Sequence, residues 1–125
     1  MNNKKIKLLY VVSTLRSSGP TNQLLGIIKN LNKNLFETKV LTLSPEVTNT
    51  MINKFISEGI EVDSLKLNRI HFGIYGKKRL KKYIDQYSPD IIHTQGVRAD
   101  STVAKVDIIF INIISNCQRM VSRYI

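Results

Sequence analysis

Two short segments hold the residue types that could bind a charged ligand. The first, STLRSSGPT (residues 13–21), sets the hydroxyls of Ser17, Ser18 and Thr21 around Gly19, with Arg16 just ahead. At the start of a helix, free backbone N–H groups and the helix dipole favour an anion, and phosphate is the obvious candidate. Gly19 would let such a ligand approach the main chain closely, and Arg16 would add charge. The segment is neither G-x-x-x-x-G-K-[ST] nor G-x-G-x-x-G, so ATP hydrolysis and ordinary dinucleotide binding lose their main signature. A plain turn punctuated by Gly19 and Pro20 accounts for the same residues.

The second segment is HTQGVR (residues 93–98). His93 could serve a reaction or simply satisfy a neighbouring carbonyl, and Arg98 could clamp a phosphate or sugar acid or lie solvated. His71, His93 and the single cysteine, Cys117, show no metal-ligand spacing, so neither a metal nor a cofactor is expected. One cysteine also excludes an intramolecular disulfide framework and suits a reducing cytosol.

A third feature is charge. The chain has 19 Lys plus Arg against 9 Asp plus Glu, a net charge of +10. Residues 64–84 contribute seven positive side chains and no negative one. Lys77, Lys78, Arg79, Lys81 and Lys82 can be read as a solvated face, a nucleic-acid footprint or a surface for anionic lipid head groups. Nucleic acid is the weaker reading, because no aromatic sheet motif, recognition-helix pattern or zinc knuckle accompanies the charge.

These residues must be positioned by the rest of the 125-residue chain, whose length suggests one domain. With 42% hydrophobic and 22% charged residues, a disordered basic tail is excluded. Residues 8–12 are too short an apolar run for a signal peptide, and residues 108–114 are far too short to span a bilayer. Residues 6–12 read as a buried parallel strand. Leu24, Ile28, Leu31 and Leu35 then recur at helical spacing behind Pro20. A strand follows at 38–43, then a helix marked by Met51, Phe55 and Ile56 that ends near Gly59, and a strand over 60–67. Leu80, Ile84 and Tyr87 form the apolar face of a third helix, with Pro89 just beyond it. A fourth strand spans 90–94, a short helix 99–105, and residues 107–114 and 116–124 could add a strand and a helix. This alternation predicts a Rossmann-like doubly wound parallel α/β sheet, with ligands beyond the carboxyl ends of the first and fourth strands.

Taken in order, IKLLYVVSTL (6–15), SGPTNQLL (18–25), KVLTLS (39–44) and PDIIHTQG (89–96) resemble the N-terminal domain of family 4-like glycosyltransferases of the GT-B fold. The resemblance spans residues 5–105. It implies one lobe of a two-lobed enzyme that transfers a sugar, with retention, from a nucleotide-sugar to a glycan or lipid-linked acceptor. The loop around Ser18 and Gly19 would then lie near the donor diphosphate, with His93, Gln95 and Gly96 in the cleft wall. The chain departs from the family in having Ser18-Gly19 where two glycines are common. It also has His93-Thr94-Gln95 where His-x-His is common, which makes Gln95 a neutral substitute for the second histidine.

Residues 1–105 are thus expected to form an acceptor-side lobe, with 106–125 an atypical tail. A donor-binding lobe would need about 100–150 further residues, so the chain is expected to be truncated, inactive alone and without catalytic residues of its own. Its expected setting is cytoplasmic, at or near the inner face of a membrane, in surface polysaccharide or glycolipid assembly, with no nucleic-acid partner. The competing expectation is a small α/β module that recognises anionic membrane or nucleic acid through its basic face. A receiver-like domain fails because Asp63, Asp85, Asp90 and Asp100 do not cluster at strand ends. Reading the DNA beyond codon 105 in all three frames tests the truncation: donor-lobe sequence should appear in one of them, and its absence from all three would overturn the expectation.

Overall fold

A strand with apolar residues at consecutive positions must be covered on both faces. Leu8, Leu9, Tyr10, Val11 and Val12 are all buried, and they lie at the centre of the molecule. The computed structural model describes residues 4–68, 74–95 and 112–115. Within them run β1 (Ile6–Val12), α1 (Gly19–Lys29), β2 (Phe36–Thr42), α2 (Ile52–Ser57), β3 (Glu61–Ser64), α3 (Ile74–Tyr87), β4 (Ile91–Gln95) and β5 (Asn112–Ser115). The five strands form one sheet in the order β3-β2-β1-β4-β5, with every neighbouring pair parallel. The expected Rossmann-like doubly wound α/β architecture is therefore present. β5 overlaps the end of the stretch expected as a strand at 107–114 and runs one residue past it. The helices expected at 99–105 and 116–124, with Arg69, His71, Gly96, Arg98 and Cys117, lie outside the described residues.

The period-2 alternation of a strand divides the core. Leu8, Tyr10, Val12 and Val40 face one side, where Leu24 and Ile28 of α1 and Phe55 of α2 cover them. Leu9, Val11, Leu41, Leu43 and Ile92 face the other, under Leu80 and Ile84 of α3. Burying each such side chain contributes about 1.5–3 kcal/mol, so the central strand is stabilised from both layers. Among the described residues no helix is long and apolar enough to cross a membrane.

Two boundaries and one helix face depart most from the periodicity. α1 ends at Lys29, short of Leu31 and Leu35, and Leu35 is 56% exposed. Asparagine side chains end it. Asn30 Nδ2 donates to the Gly26 carbonyl at 2.7 Å, and Asn32 Oδ1 accepts from the Asn34 N–H at 2.9 Å, so local side-chain bonds replace the helical ladder. β3 closes at Ser64 because Lys66 takes a positive φ of 51°. Even so, Leu65 and Leu67 still donate to Thr42 and Leu43 and stay buried. In α2, Ile56 is 55% exposed, so Met51 and Phe55 alone carry the expected apolar face there.

Tyr83 and Tyr87 pack against the core, as the helical spacing suggests, and also tie α3 to the sheet through their hydroxyls. Tyr83 donates to Asp63 Oδ2 at 2.6 Å, and Tyr87 donates to Glu37 Oε2 at 3.4 Å. Lys39 lies 4.7 Å from the Tyr87 ring centre while pairing with Glu61 and Asp63. Lys7 lies over the other part of the seam, 5.2 Å from the same ring.

Burial first, and then the carboxylates of Asp63 and Glu37, raise both phenols well above the ordinary tyrosine range. In the unfolded chain they ionise near pH 10. Their contribution is therefore whole below about pH 10 and falls as the pH rises further, because the unfolded state then binds fewer protons. Urea midpoints measured from about pH 8 to about pH 11 should fall less steeply for Tyr83→Phe/Tyr87→Phe than for the parent chain. Parallel profiles would show that the two phenols do not couple folding to pH.

Candidate functional site

In an open parallel sheet, ligands bind beyond the strand carboxyl ends where the strand order reverses. Here that point lies between β1 and β4, since β2 and β3 are laid down on one side of β1 and β4 on the other. The loop after β1 and the end of β4 meet there. A cleft of about 200 Å³ is lined by Ser13, Thr14, Arg16, Ser18, Pro20 and Gln95, over a floor that includes Val12 and Leu24.

Ser18 is the N-cap of α1, with extended backbone (φ −164°). Its Oγ accepts from the Thr21 N–H at 3.4 Å and lies 3.0 Å from Thr21 Oγ1, while its carbonyl accepts from Asn22. Pro20 sits in the first turn, where its missing N–H costs the helix nothing. The same residues thus both build the helix start and reduce the number of N–H groups it can offer an anion. Thr21 is buried and its hydroxyl is held by Ser18, whereas Arg16 is exposed at the rim, and Ser17 is exposed but is not among the residues lining the cleft. Gly19 is also exposed, and a Cβ placed on it would meet no atom within 4 Å. Packing therefore does not require glycine here.

The loop of residues 13–18 is rigid for a reason the motifs do not reveal. Glu46, after β2, accepts the Leu15 N–H at both carboxylate oxygens, 3.3 and 3.4 Å away, and also accepts the Thr50 hydroxyl. Backbone bonds Ser17 N–H to Asn49 O (2.9 Å) and Met51 N–H to Leu15 O (2.7 Å) complete a clamp, with an antiparallel bridge between Arg16 and Thr50. Only the position of Glu46, directly after Ser44-Pro45 at a strand's end, could have pointed to it.

His93 is not among the residues lining the cleft. It stands opposite Tyr10 in the β1–β4 register, with ring centres 5.0 Å apart, on the face covered by α1. Its Nε2 is buried and has no hydrogen-bond partner among the described residues. Burial raises the pKa of Tyr10, so the phenol beside it stays neutral. Gln95, two residues on, is the β4 residue that reaches the cleft. Gly96 and Arg98 cannot be assigned to either place, being outside the described residues.

The basic residues of α3 divide. Arg79 turns back: its guanidinium donates to the Leu65 carbonyl at 2.8 Å and lies over Tyr75. Lys81 pairs with Asp85 at 2.8 Å. Lys78 and Lys82 are exposed, and Lys77 is half-buried.

No family model matches the sequence, and no curated protein does. The fold is similar to that of phosphoribosylglycinamide formyltransferase from Brucella melitensis, at 18% identity and a TM-score of 0.57, covering 90% of this chain and 56% of that one. It is also similar to a UDP-N-acetylglucosamine 2-epimerase at 12% identity and a TM-score of 0.56, covering 90% of this chain and 33% of the epimerase. The chain thus spans little more than half of the first protein and a third of the second. At these identities the likeness is one of fold.

Glu46→Ala should cost about 1–3 kcal/mol, because the Leu15 N–H and Thr50 hydroxyl lose their acceptor away from bulk water. Urea denaturation measures this, and an unchanged midpoint would show that the clamp does not depend on the carboxylate. Ser18→Ala should cost about 1 kcal/mol as a lost cap.

Proposed function

We propose that this chain is a nucleotide-sugar-handling lobe, the acceptor-side half of a retaining glycosyltransferase. The observation that carries the reading is the convergence of Ser18 and Gln95 on one cleft at the point where the strand order reverses, with Gly19 open beside it. These are the positions that the resemblance links to donor phosphate and sugar. The fold shared with a UDP-sugar epimerase supports the same reading.

The chemistry of the cleft suits binding rather than turnover. Gln95 and the hydroxyls of Ser13 and Thr14 can exchange hydrogen bonds with sugar hydroxyls, and Arg16 can face a phosphate at the rim. Gly19, with open space before it, lets a diphosphate approach the main chain. Expulsion of a nucleoside diphosphate builds negative charge on the leaving oxygens, and stabilising it takes several preorganised donors or cations. Arg16 is the one cation among the described lining residues. In this reading the remaining groups come from a second lobe across the cleft.

Isothermal titration of the purified chain with UDP-, GDP- and ADP-sugars should detect weak binding of one nucleotide class and no sugar transfer. Gly19→Ala should leave the urea midpoint unchanged or slightly raised, since alanine is the better helix former. It should weaken that binding about tenfold or more, and Gln95→Ala should weaken it without unfolding the chain. No binding of any nucleotide-sugar, or binding indifferent to Gly19→Ala, would overturn the reading.

A further inference from the structure

At the amino ends of the strands, opposite to the cleft, a second cavity of about 190 Å³ lies between the end of α1, the turn after α2 and the start of β2. It is smaller than the ~300–1,000 Å³ of a pocket for a drug-sized ligand, so it suits a small molecule. Ile28, Phe36 and Ile60 give it an apolar floor, continuous with the core under α1. Its lining also holds Lys5, Lys29, Lys33 and three glutamates, but the period-2 alternation of the strands separates these charges. Thr38 shares the sheet face of Phe36 and Val40, whereas Glu37 is turned to α3, where it accepts the Tyr87 hydroxyl. Glu61 likewise pairs with Lys39, at 3.3 Å, beneath the tyrosines of that other face. Glu58 pairs with Lys29 at 3.7 Å, and Lys29, in the last turn of α1, also answers the helix dipole. Lys5 and Lys33 are left, both exposed and without a carboxylate partner among the described residues.

We propose that this cavity binds a small organic anion with an apolar body, whose ring or chain lies on Ile28, Phe36 and Ile60 and whose carboxylate or phosphate meets Lys5, Lys33 and the Thr38 hydroxyl. The two kinds of group must act on one molecule. An inorganic ion would engage the lysines and leave the floor wet, and a neutral hydrocarbon would cover the floor and leave the lysines unanswered. The carboxylates do not convert the cavity into a metal site, since among the described residues no group of three His, Cys, Asp or Glu converges closely enough to hold an ion. The site lies at the other end of the sheet from the switch-point cleft, and it stands or falls independently of the nucleotide-sugar reading.

Phenyl phosphate and benzoate, titrated separately into the isotopically labelled full chain, test this by amide NMR. At least one of them should shift the signals of Thr38 and Gly59 saturably, and the tighter of the two identifies the head group. Phenol, which lacks the charge, and inorganic phosphate, which lacks the ring, should each bind about tenfold more weakly or worse. Lys5→Gln and Lys33→Gln should each weaken binding roughly fivefold. Both should leave the urea midpoint unchanged, because the two side chains are exposed. No saturable shift with either acid, phenol or inorganic phosphate bound as tightly as the organic acids, or binding indifferent to both lysine variants would overturn the proposal.

Discussion

The structure depends on β1 having no solvent face. Because Leu8, Tyr10 and Val12 must be covered by one layer and Leu9 and Val11 by another, the chain has to lay helices on both sides of the sheet. Parallel strands then follow, since each helix carries the chain back to the same end. The reversal of strand order beside β1 is a consequence of filling both flanks, and it leaves a crevice at the carboxyl edge between the ends of β1 and β4. Burial of five consecutive side chains is thus what puts the loop after β1 and Gln95 at one place.

That loop does two kinds of work with few residues. Ser18 and Thr21 spend their hydroxyls on each other and on the start of α1, and Glu46 fixes the main chain from behind. What remains for a ligand is the rim: Arg16, the open approach at Gly19 and the polar atoms of Ser13, Thr14 and Gln95. A preorganised but sparsely charged cleft fits a ligand with many hydroxyls and a modest number of charges.

Much of this was legible in the residues. The apolar run of β1 is bounded by serines, glycine and proline, and its limits match the structure because nothing local competes with it. The switch-point loops followed from strand order alone. The end of α1 was less legible: Leu31 and Leu35 keep the helical spacing, but Asn30 and Asn32 offer the backbone competing bonds that periodicity does not register. Glu46 was invisible for a different reason. Its partner Leu15 lies 31 residues away, and an isolated carboxylate after a proline looks like any exposed one until the loops are brought together. The tyrosine seam has the same origin, with Tyr83 and Asp63 separated by 20 residues and Tyr87 and Glu37 by 50.

β3 stands at one margin of the sheet, with its outer backbone groups facing away from β2. Such a margin invites pairing with the edge of another chain. Glu61 is largely exposed on it, Asp63 is half-exposed while accepting the Tyr83 hydroxyl, and Lys39, which pairs with both, is held in the sheet beneath the tyrosines. A second copy aligned along this margin would bring its own carboxylates against these two. The strand is also only four residues long, too short to template an extended ladder. Two of the nine acidic residues of a strongly basic chain thus stand where they discourage the sheet from continuing into a neighbour.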